Sequence, residues 1–414
     1  MISSFKVTLL KPSELTTNHW QAWARIAKLG AGIKSPYANP AYIQIIAPEV
    51  PQAMIARFSQ FYEQGERDCG YLAYQMRGGV LQPLGTPLTD YMNVTLINGD
   101  DQPMPPTQIL SAIKALLLAT KANQFEAVGL LGISEPNYDT GVNEIPAEEG
   151  LNAQTRRVAD LRMGFDTWCT TQDNAHGKYF KNLRRCQRNL KRDLPNAVYE
   201  WRRADKELLE WVIQRKRNQY AKSHYHDIFA CGWTKDLLMA LASSENEEMV
   251  LTAGVLSLDG RIIAAEIALQ SNDYLHLWYP AYDEALARHS LGIVLVFEMI
   301  KDAAARGVKF VDFGTGSESY KIPFTSPIND CARLILKSPK QSLFDLSTEV
   351  CAELITSLNP PKLKPWRSAV SERLMSIRGC ETKKLGRLKA MICLWDRFVE
   401  KLFSRLRRSL TTSS

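Results

Sequence analysis

The chain is 414 residues long, with 45% hydrophobic and 23% charged residues. That is ordinary globular composition, which excludes wholesale disorder and low-complexity architecture and leaves room for two or three domains. The formal net charge of +7 is unevenly spread: residues 360–414 hold 14 Lys/Arg against four Asp/Glu, and the remainder holds 37 against 40. No apolar run approaches the roughly 20 residues that span a bilayer, and the N-terminus lacks the apolar core and cleavage site of a signal peptide, so the chain reads as cytoplasmic. The eight cysteines (69, 169, 186, 231, 331, 351, 380, 393) stand singly without a CxxC. They read as reduced, mostly buried thiols rather than a zinc site or disulfide framework, with Cys380 and Cys393 as surface thiols of the tail. His224-x-His226-Asp227 reads as exposed polar residues, because histidines two apart on a strand face opposite sides. No metal is expected.

In chain order, the hydrophobic pattern predicts a strand over 5–10, a helix over 20–29 capped at Thr17/Asn18 and a short helix from Pro40. An amphipathic helix follows over 51–62. Strands over 70–77 and 80–84 then form a hairpin turning at Gly78-Gly79. A strand over 92–97, a helix over 108–121 capped by Thr107 and a buried strand over 125–131 complete the first half. Residues 136–150 read as a linker. The second half opens with a weak strand over 156–161 and a long helix over 175–192, stopped by Leu194-Pro195. A strand over 197–202, helices over 206–221 and 234–242, and a three-strand meander (249–258, 261–270, 274–281) with an Asp259-Gly260 turn follow. Helix 291–306 ends at Gly307, strand 308–313 leads into a glycine-containing turn, and a strand over 332–336 precedes a helical tail. The alternation predicts an α/β fold, with mixed sheets carrying helices on their faces. The first half repeats the order of the second in blurred form, which suggests a structural duplication without a sequence repeat.

Four features carry possible chemistry. Ser290-Leu291-Gly292-Ile293-Val294 begins a nearly all-apolar helix, and a glycine in a first turn lets a phosphate approach free N–H groups and the positive end of the dipole. Asp312-Phe-Gly314-Thr-Gly316-Ser-Glu318-Ser-Tyr320-Lys321 clusters an acid, a phenol and an amine at a strand end. Lys178, Lys181, Arg184, Arg185, Arg188, Lys191 and Arg192 form a basic helix face that suits an anionic partner. In the tail, Leu385, Leu388, Ile392, Trp395, Val399, Leu402 and Leu406 recur at helical spacing among Lys and Arg, a basic amphipathic helix suited to the body, a partner helix or an anionic membrane surface. GxSxG, P-loop, HExxH and strand-following GxGxxG motifs are absent, and the Asp312-Phe-Gly314 triplet lacks the other kinase elements.

Together, Pro83-Leu-Gly85-Thr-Pro-Leu-Thr-Asp90-Tyr91, Ala281-Tyr-Asp283, Ser290-Leu-Gly292 and Val311-Asp312-Phe-Gly314-Thr-Gly316-Ser-Glu318-Ser-Tyr320-Lys321 resemble the motifs of GNAT-fold acetyltransferases of the CelD/BcsL type. That family belongs to bacterial cellulose and exopolysaccharide biosynthesis and is related to the FemAB peptidyltransferases. The similarity spans roughly residues 20–338 and departs at Leu291, usually Pro, and Thr315, often Arg.

The resemblance implies two tandem GNAT-like domains, 1–165 and 166–338, followed by a helical basic tail over 339–414. It implies an acyl-CoA-dependent acetyltransferase, attacking the thioester directly, with acetyl-CoA as co-substrate and a sugar or lipid-linked glycan as acceptor. Leu277, Tyr279, Ser290, Leu291, Gly292, Ile293 and Val294 would hold the donor. Asp312 would orient or deprotonate the acceptor, Tyr320 would protonate the leaving thiolate and Lys321 would stabilise the oxyanion. Asp90, Tyr91, Asp283, Gly314 and Glu318 would line the acceptor site. The tail would meet the inner-membrane surface or another anionic ligand, and nucleic acid is not expected. The alternatives are a FemAB-like aminoacyl or peptidyl transferase and a catalytically silent GNAT-like module tethered to the membrane.

Overall fold

The structure, a computed structural model, describes residues 5–29, 35–63, 65–131, 152–223, 225–316, 318–338 and 373–393. The first half comprises β1 (Lys6–Leu10), α1 (Thr17–Leu29), α2 (Pro40–Ile46), β2 (Ala53–Tyr62), β3 (Gly65–Arg77), β4 (Val80–Pro83), β5 (Met92–Asn93), α3 (Pro106–Thr120) and β6 (Gln124–Leu131). The second comprises β7 (Asn152–Asp160), α4 (Phe165–Asp193), β8 (Ala197–Arg203), α5 (Lys206–Ser223), α6 (Trp233–Ser243), β9 (Val250–Leu258), β10 (Arg261–Ser271), β11 (Tyr274–Tyr282), α7 (Leu291–Ala305), β12 (Phe310–Thr315) and β13 (Ser326–Lys337). Two further helices cover 373–380 and 384–393.

One continuous mixed sheet runs β1-β2-β3-β4-β6-β13-β7-β12-β11-β10-β9-β8, with β5 added beside β6. The two halves meet at β13, which pairs antiparallel with β6 on one side and β7 on the other. Helix α3 covers β2, β3 and β6 through Ile113, Leu116, Phe58, Leu72 and Phe125. On the second half, α4 and α7 cover β10, β11 and β12 through Phe180, Leu183, Val294, Met299, Leu275 and Val311. A third core contains residues from both halves: Ile26, Tyr42 and Tyr91 pack in one cluster with Leu209, Leu237, Val255 and Ile267. Shared burial of this kind is what fixes the relative placement of two half-sheets.

Local rules explain most element ends. The β9–β10 turn places Asp259 (φ 49°) and Gly260 (φ 77°) in the left-handed region that a tight hairpin needs. Helix α7 closes in a Schellman arrangement: Gly307 (φ 80°) donates to Ala304 O at 3.1 Å and Val308 donates to Ala303 O at 3.0 Å.

The structure corrects the sequence reading in several places. Residues 53–62, expected as a helix, form β2, because both of its edges pair, with β1 and with β3; that tertiary pairing overrides a pattern compatible with either state. The strand expected over 92–97 shortens to Met92–Asn93. The long helix starts ten residues earlier than expected, at Phe165, and kinks at His176. Cys231 and Cys380 form a disulfide, and Cys380 is fully buried rather than a surface thiol. Their separation of 149 residues gave no local spacing to read. The expected linker over 136–150 and most of the tail lie outside the described residues, as do His224 and the tail positions from Trp395 on. No helix among the described residues is long and apolar enough to cross a membrane.

Candidate active site

The second half-sheet is split at its middle. Strands β11 and β12 run parallel for three pairs, Tyr274–Phe310, Leu275–Val311 and His276–Asp312, and the pairing stops there. Beyond His276, β11 continues through Tyr282 while β12 turns away at Gly314, which takes φ 79°. Helix α7 begins next to β11. Ser290 enters it with φ 55° and makes no side-chain capping bond. The Ile293 and Val294 N–H groups donate to Ser290 O at 3.1 and 3.3 Å, so the helix tip is Leu291 and Gly292. A Cβ at Gly292 would meet nothing within 4 Å, so the space before the tip is open to a ligand.

A cavity of about 630 Å³ lies between the halves. Pro83 to Asp90 wall it on the first half, β10, β11 and the turn over 314–321 on the second, and Met375 and Ser376 on the C-terminal side. Residues 177–322 match the family model of the acetyltransferase (GNAT) domain. The chain carries a GNAT-type acyltransferase domain.

Curated proteins give no sequence match. Among solved structures, FemX is 12% identical over 82% of this chain and 99% of its own, with a TM-score of 0.50. A tandem GNAT protein from the clavulanic acid biosynthesis pathway is 11% identical over 81% of this chain and 100% of its own, with a TM-score of 0.46. The C-terminal domain of a putative lysylphosphatidylglycerol synthetase from Agrobacterium fabrum is 13% identical over 80% of this chain and 94% of its own, with a TM-score of 0.45. FemX shares the fold.

Within the GNAT domain, Leu277, Gly314, Glu318, Tyr320 and Lys321 line the cavity, joined by Asp90 from the first half. Lys321 is nearly buried; its Nζ donates to Thr315 O at 3.1 Å and pairs with Glu318 Oε2 at 3.0 Å. Burial raises the Tyr320 phenol above its ordinary value, and the Glu266 and Glu318 charges add to it, so the hydroxyl keeps its proton at neutral pH. Tyr91, Asp312, Tyr279 and Asp283 do not line this cavity. Tyr279 packs against Phe229 and Trp278, and Asp283 caps the turn over 284–289 by accepting from Ala285 N at 3.1 Å.

Asp312 is fully buried, and both its oxygens are taken. Oδ1 accepts from Gly314 N at 2.7 Å and Tyr91 OH at 3.1 Å; Oδ2 accepts from Tyr274 OH at 2.5 Å and Arg156 Nη1 at 2.9 Å. Burial alone would raise its pKa, but the nearby charges of His276 and Arg156, with the Tyr274 hydrogen bond, hold it far below the carboxylate range. Arg156 reaches on to Asp330 through Nε at 2.7 Å and Nη2 at 2.5 Å. His276 is fully buried. Its Nε2 donates to Asp90 Oδ2 at 2.9 Å, and its Nδ1 lies 3.9 Å from Asp312 Oδ2. Burial would lower its pKa, yet these two carboxylates push it up to about 9. Asp312 is thus an anchor behind the cavity, and its surroundings leave it no access to an acceptor's proton.

The sequence reading missed Arg156, Lys216, Glu266, His276 and Trp278. The available signal for Glu266 was a lone acid inside the apolar run Ile262–Leu269 of a predicted strand. Glu266 lines the cavity, is 3% exposed, and its Oε1 has no hydrogen-bond partner. Burial, offset in part by Lys216, His276 and Lys321, pushes it up to about 8. A carboxyl group so placed can exchange a proton near neutral pH.

Proposed function

We propose that this enzyme transfers an acetyl or other short acyl group from acyl-CoA to an amine or hydroxyl of a sugar or lipid-linked glycan, as in exopolysaccharide or cellulose-type biosynthesis. GNAT domains use acyl-CoA, and the observation that carries this reading is the open split between β11 and β12, whose Leu277, Trp278, Phe313 and Gly314 line the cavity, together with the uncapped tip of α7. The β11 edge from Leu277 to Tyr282 has backbone groups free of β12 that would pair with a pantetheine chain, and the Leu291 and Gly292 amides would hold its pyrophosphate. The acceptor site carries Trp278, Tyr220 and Tyr320 with Gln82, Gln154 and Asp90, a mixture of aromatic faces and hydrogen-bonding groups suited to a polyhydroxylated ring.

Acyl-CoA supplies the activated thioester. Glu266 takes the proton from the attacking amine or hydroxyl, and its upward-shifted pKa makes it a stronger base than an exposed carboxylate. Tyr320, protonated at neutral pH, gives a proton to the departing thiolate, and Lys321 supplies positive charge where the carbonyl oxygen becomes negative. Asp312 holds Gly314 N and the Arg156–Tyr274–Tyr91 cluster in place, which sets the turn carrying these groups. The exposed Leu385, Leu388 and Ile392 support contact of the basic tail with a membrane surface.

The test is calorimetric titration of acetyl-CoA into the full chain, followed by turnover with amino-sugar acceptors in wild type and Glu266→Gln. We expect one acetyl-CoA site in both proteins and a rate lower by about 10²- to 10⁴-fold in the variant. Absence of acetyl-CoA binding by folded wild type would overturn the donor assignment. An unchanged rate in Glu266→Gln would overturn the base assignment alone.

A further inference from the structure

Helix 373–380 closes one side of the cavity with Met375 and Ser376; Arg378 Nη1 donates to Glu126 Oε2 at 2.9 Å, Gln75 Nε2 donates to Gly379 O at 3.3 Å, and the helix end meets the body at a further cluster. Trp233 Nε1 donates to Cys380 O at 3.0 Å, and Cys380 is bonded to Cys231. Two further polar side chains converge on the same point. His226 Nε2 lies 3.4 Å from Glu381 Oε1, and that oxygen lies 3.8 Å from Cys231 Sγ. The donor atoms of His226, Cys231 and Cys380 all lie within 4.8 Å of one another.

A disulfide has no use for an imidazole and a carboxylate at this range. Once the bond is reduced, two sulfurs, a carboxylate oxygen and an imidazole nitrogen converge at the range that one cation can bridge. Two sulfurs, one nitrogen and one oxygen are also the donor number and type that a tetrahedral zinc ion takes, and soft thiolates disfavour magnesium and calcium.

We propose that the reduced form of this cluster is a zinc site in which Cys231, Cys380, His226 and Glu381 hold one ion and clasp helix 373–380 against the cavity. Reduction by a dithiol delivers two electrons and two protons to the Cys231–Cys380 bond and leaves the reductant as its own disulfide. Zinc then binds two thiolates and releases the two thiol protons. The site exchanges one cross-link for another across the same 149-residue separation. It stands independently of the acyl-transfer reading, because none of its four ligands lines the cavity.

The full chain is reduced with a dithiol, its thiols are counted, and it is equilibrated with zinc and freed of excess by gel filtration. Metal analysis should find about one zinc per chain. Cys231→Ser and His226→Ala should each lose more than nine-tenths of it, and Cys393→Ser, at an exposed cysteine outside the cluster, should keep it. Cobalt added to the reduced wild type should give the thiolate-to-metal absorption of a tetrahedral site, a readout needing no variant. Wild type with its thiols free and no bound zinc overturns the proposal. So does zinc that Cys231→Ser retains, or a cobalt spectrum without thiolate bands.

Discussion

From β1 in the first half and from β8 in the second, the elements follow a similar order and differ at one junction. In the second half, β11 and β12 separate after three pairs, the gap stays open, and α7 presents Ser290-Leu291-Gly292 to it. In the first half, β4 and β6 separate after two pairs, Val80–Gln124 and Leu81–Phe125, but β5 then pairs with β6 through Met92 and Asn93 and refills the gap. The matching helix, α3, begins Pro105-Pro106, and proline has no N–H to offer. The first half has therefore closed its own split and lost one of the two tip amides, at Pro106, while its loop from Pro83 to Asp90 walls the cavity. Under the proposed function, a half-sheet serves as a donor site only where the gap stays open and the helix tip keeps its amides.

Gly292 and Thr107 occupy the same second position in α7 and α3, which allows a direct test. Gly292→Glu puts bulk and negative charge where a pyrophosphate would sit, and acetyl-CoA affinity should fall at least ~100-fold by calorimetry, about 2.7 kcal/mol or more. Thr107→Glu should leave that affinity unchanged and slightly stabilise the protein, since a carboxylate at a helix N-terminus gains about 0.3–1 kcal/mol. Equal losses in both variants would mean that the halves do not differ as described.

The halves also differ in how charge is buried. Arg156→Met removes the cation from the fully buried Asp312 and should lower unfolding free energy by about 3–5 kcal/mol in denaturant titration. Arg57→Met in the first half breaks a partly exposed pair with Asp68 and should cost about 1 kcal/mol or less. A smaller cost at Arg156 than at Arg57 would contradict the buried network.

The order of elements was legible because periodicity, Gly307, Asp259-Gly260 and the prolines act locally. Residues 53–62 were not, because a pattern that fits a helix was decided by pairing on both sides. The turn over 312–321 was visible as a cluster, yet its residues split: Tyr320 and Lys321 line the cavity and Asp312 sits behind it. That split depends on Arg156, on β7, and on His276, on β11, which approach Asp312 from other strands. Long-range convergence of this sort, like the Cys231–Cys380 pair, leaves no spacing in the chain.

His276 gives the comparison a pH signature, because it bridges Asp90 of the first half and Asp312 of the second. It holds its proton to about pH 9 in the folded protein and to about 6.5 when unfolded. Its contribution is therefore fully present below pH 6.5 and is lost as pH rises to about 9, a fall of roughly 3 kcal/mol. His276→Gln should flatten that slope in denaturation curves at pH 6 and pH 9. Glu266, raised to about 8, adds a slope of the same sign, beginning at lower pH, near 4.5, so Glu266→Gln flattens a different window.

The smallest effect separates the two reasons the first half is closed. Pro105→Ser gives α3 a side-chain cap and, with Gln108 three residues on, a capping box. A cap of this kind is worth about 0.5–2 kcal/mol, and losing proline's restraint on the unfolded chain returns about 0.4–1 of that. The net gain should be a fraction of a kcal/mol, read as a small rise in melting temperature. Acetyl-CoA stoichiometry should stay at one, because β5 still fills the gap beside β6 and Pro106 still withholds its N–H. A second acetyl-CoA site in this variant would show that Pro105, and not the refilled gap, had kept the first half silent.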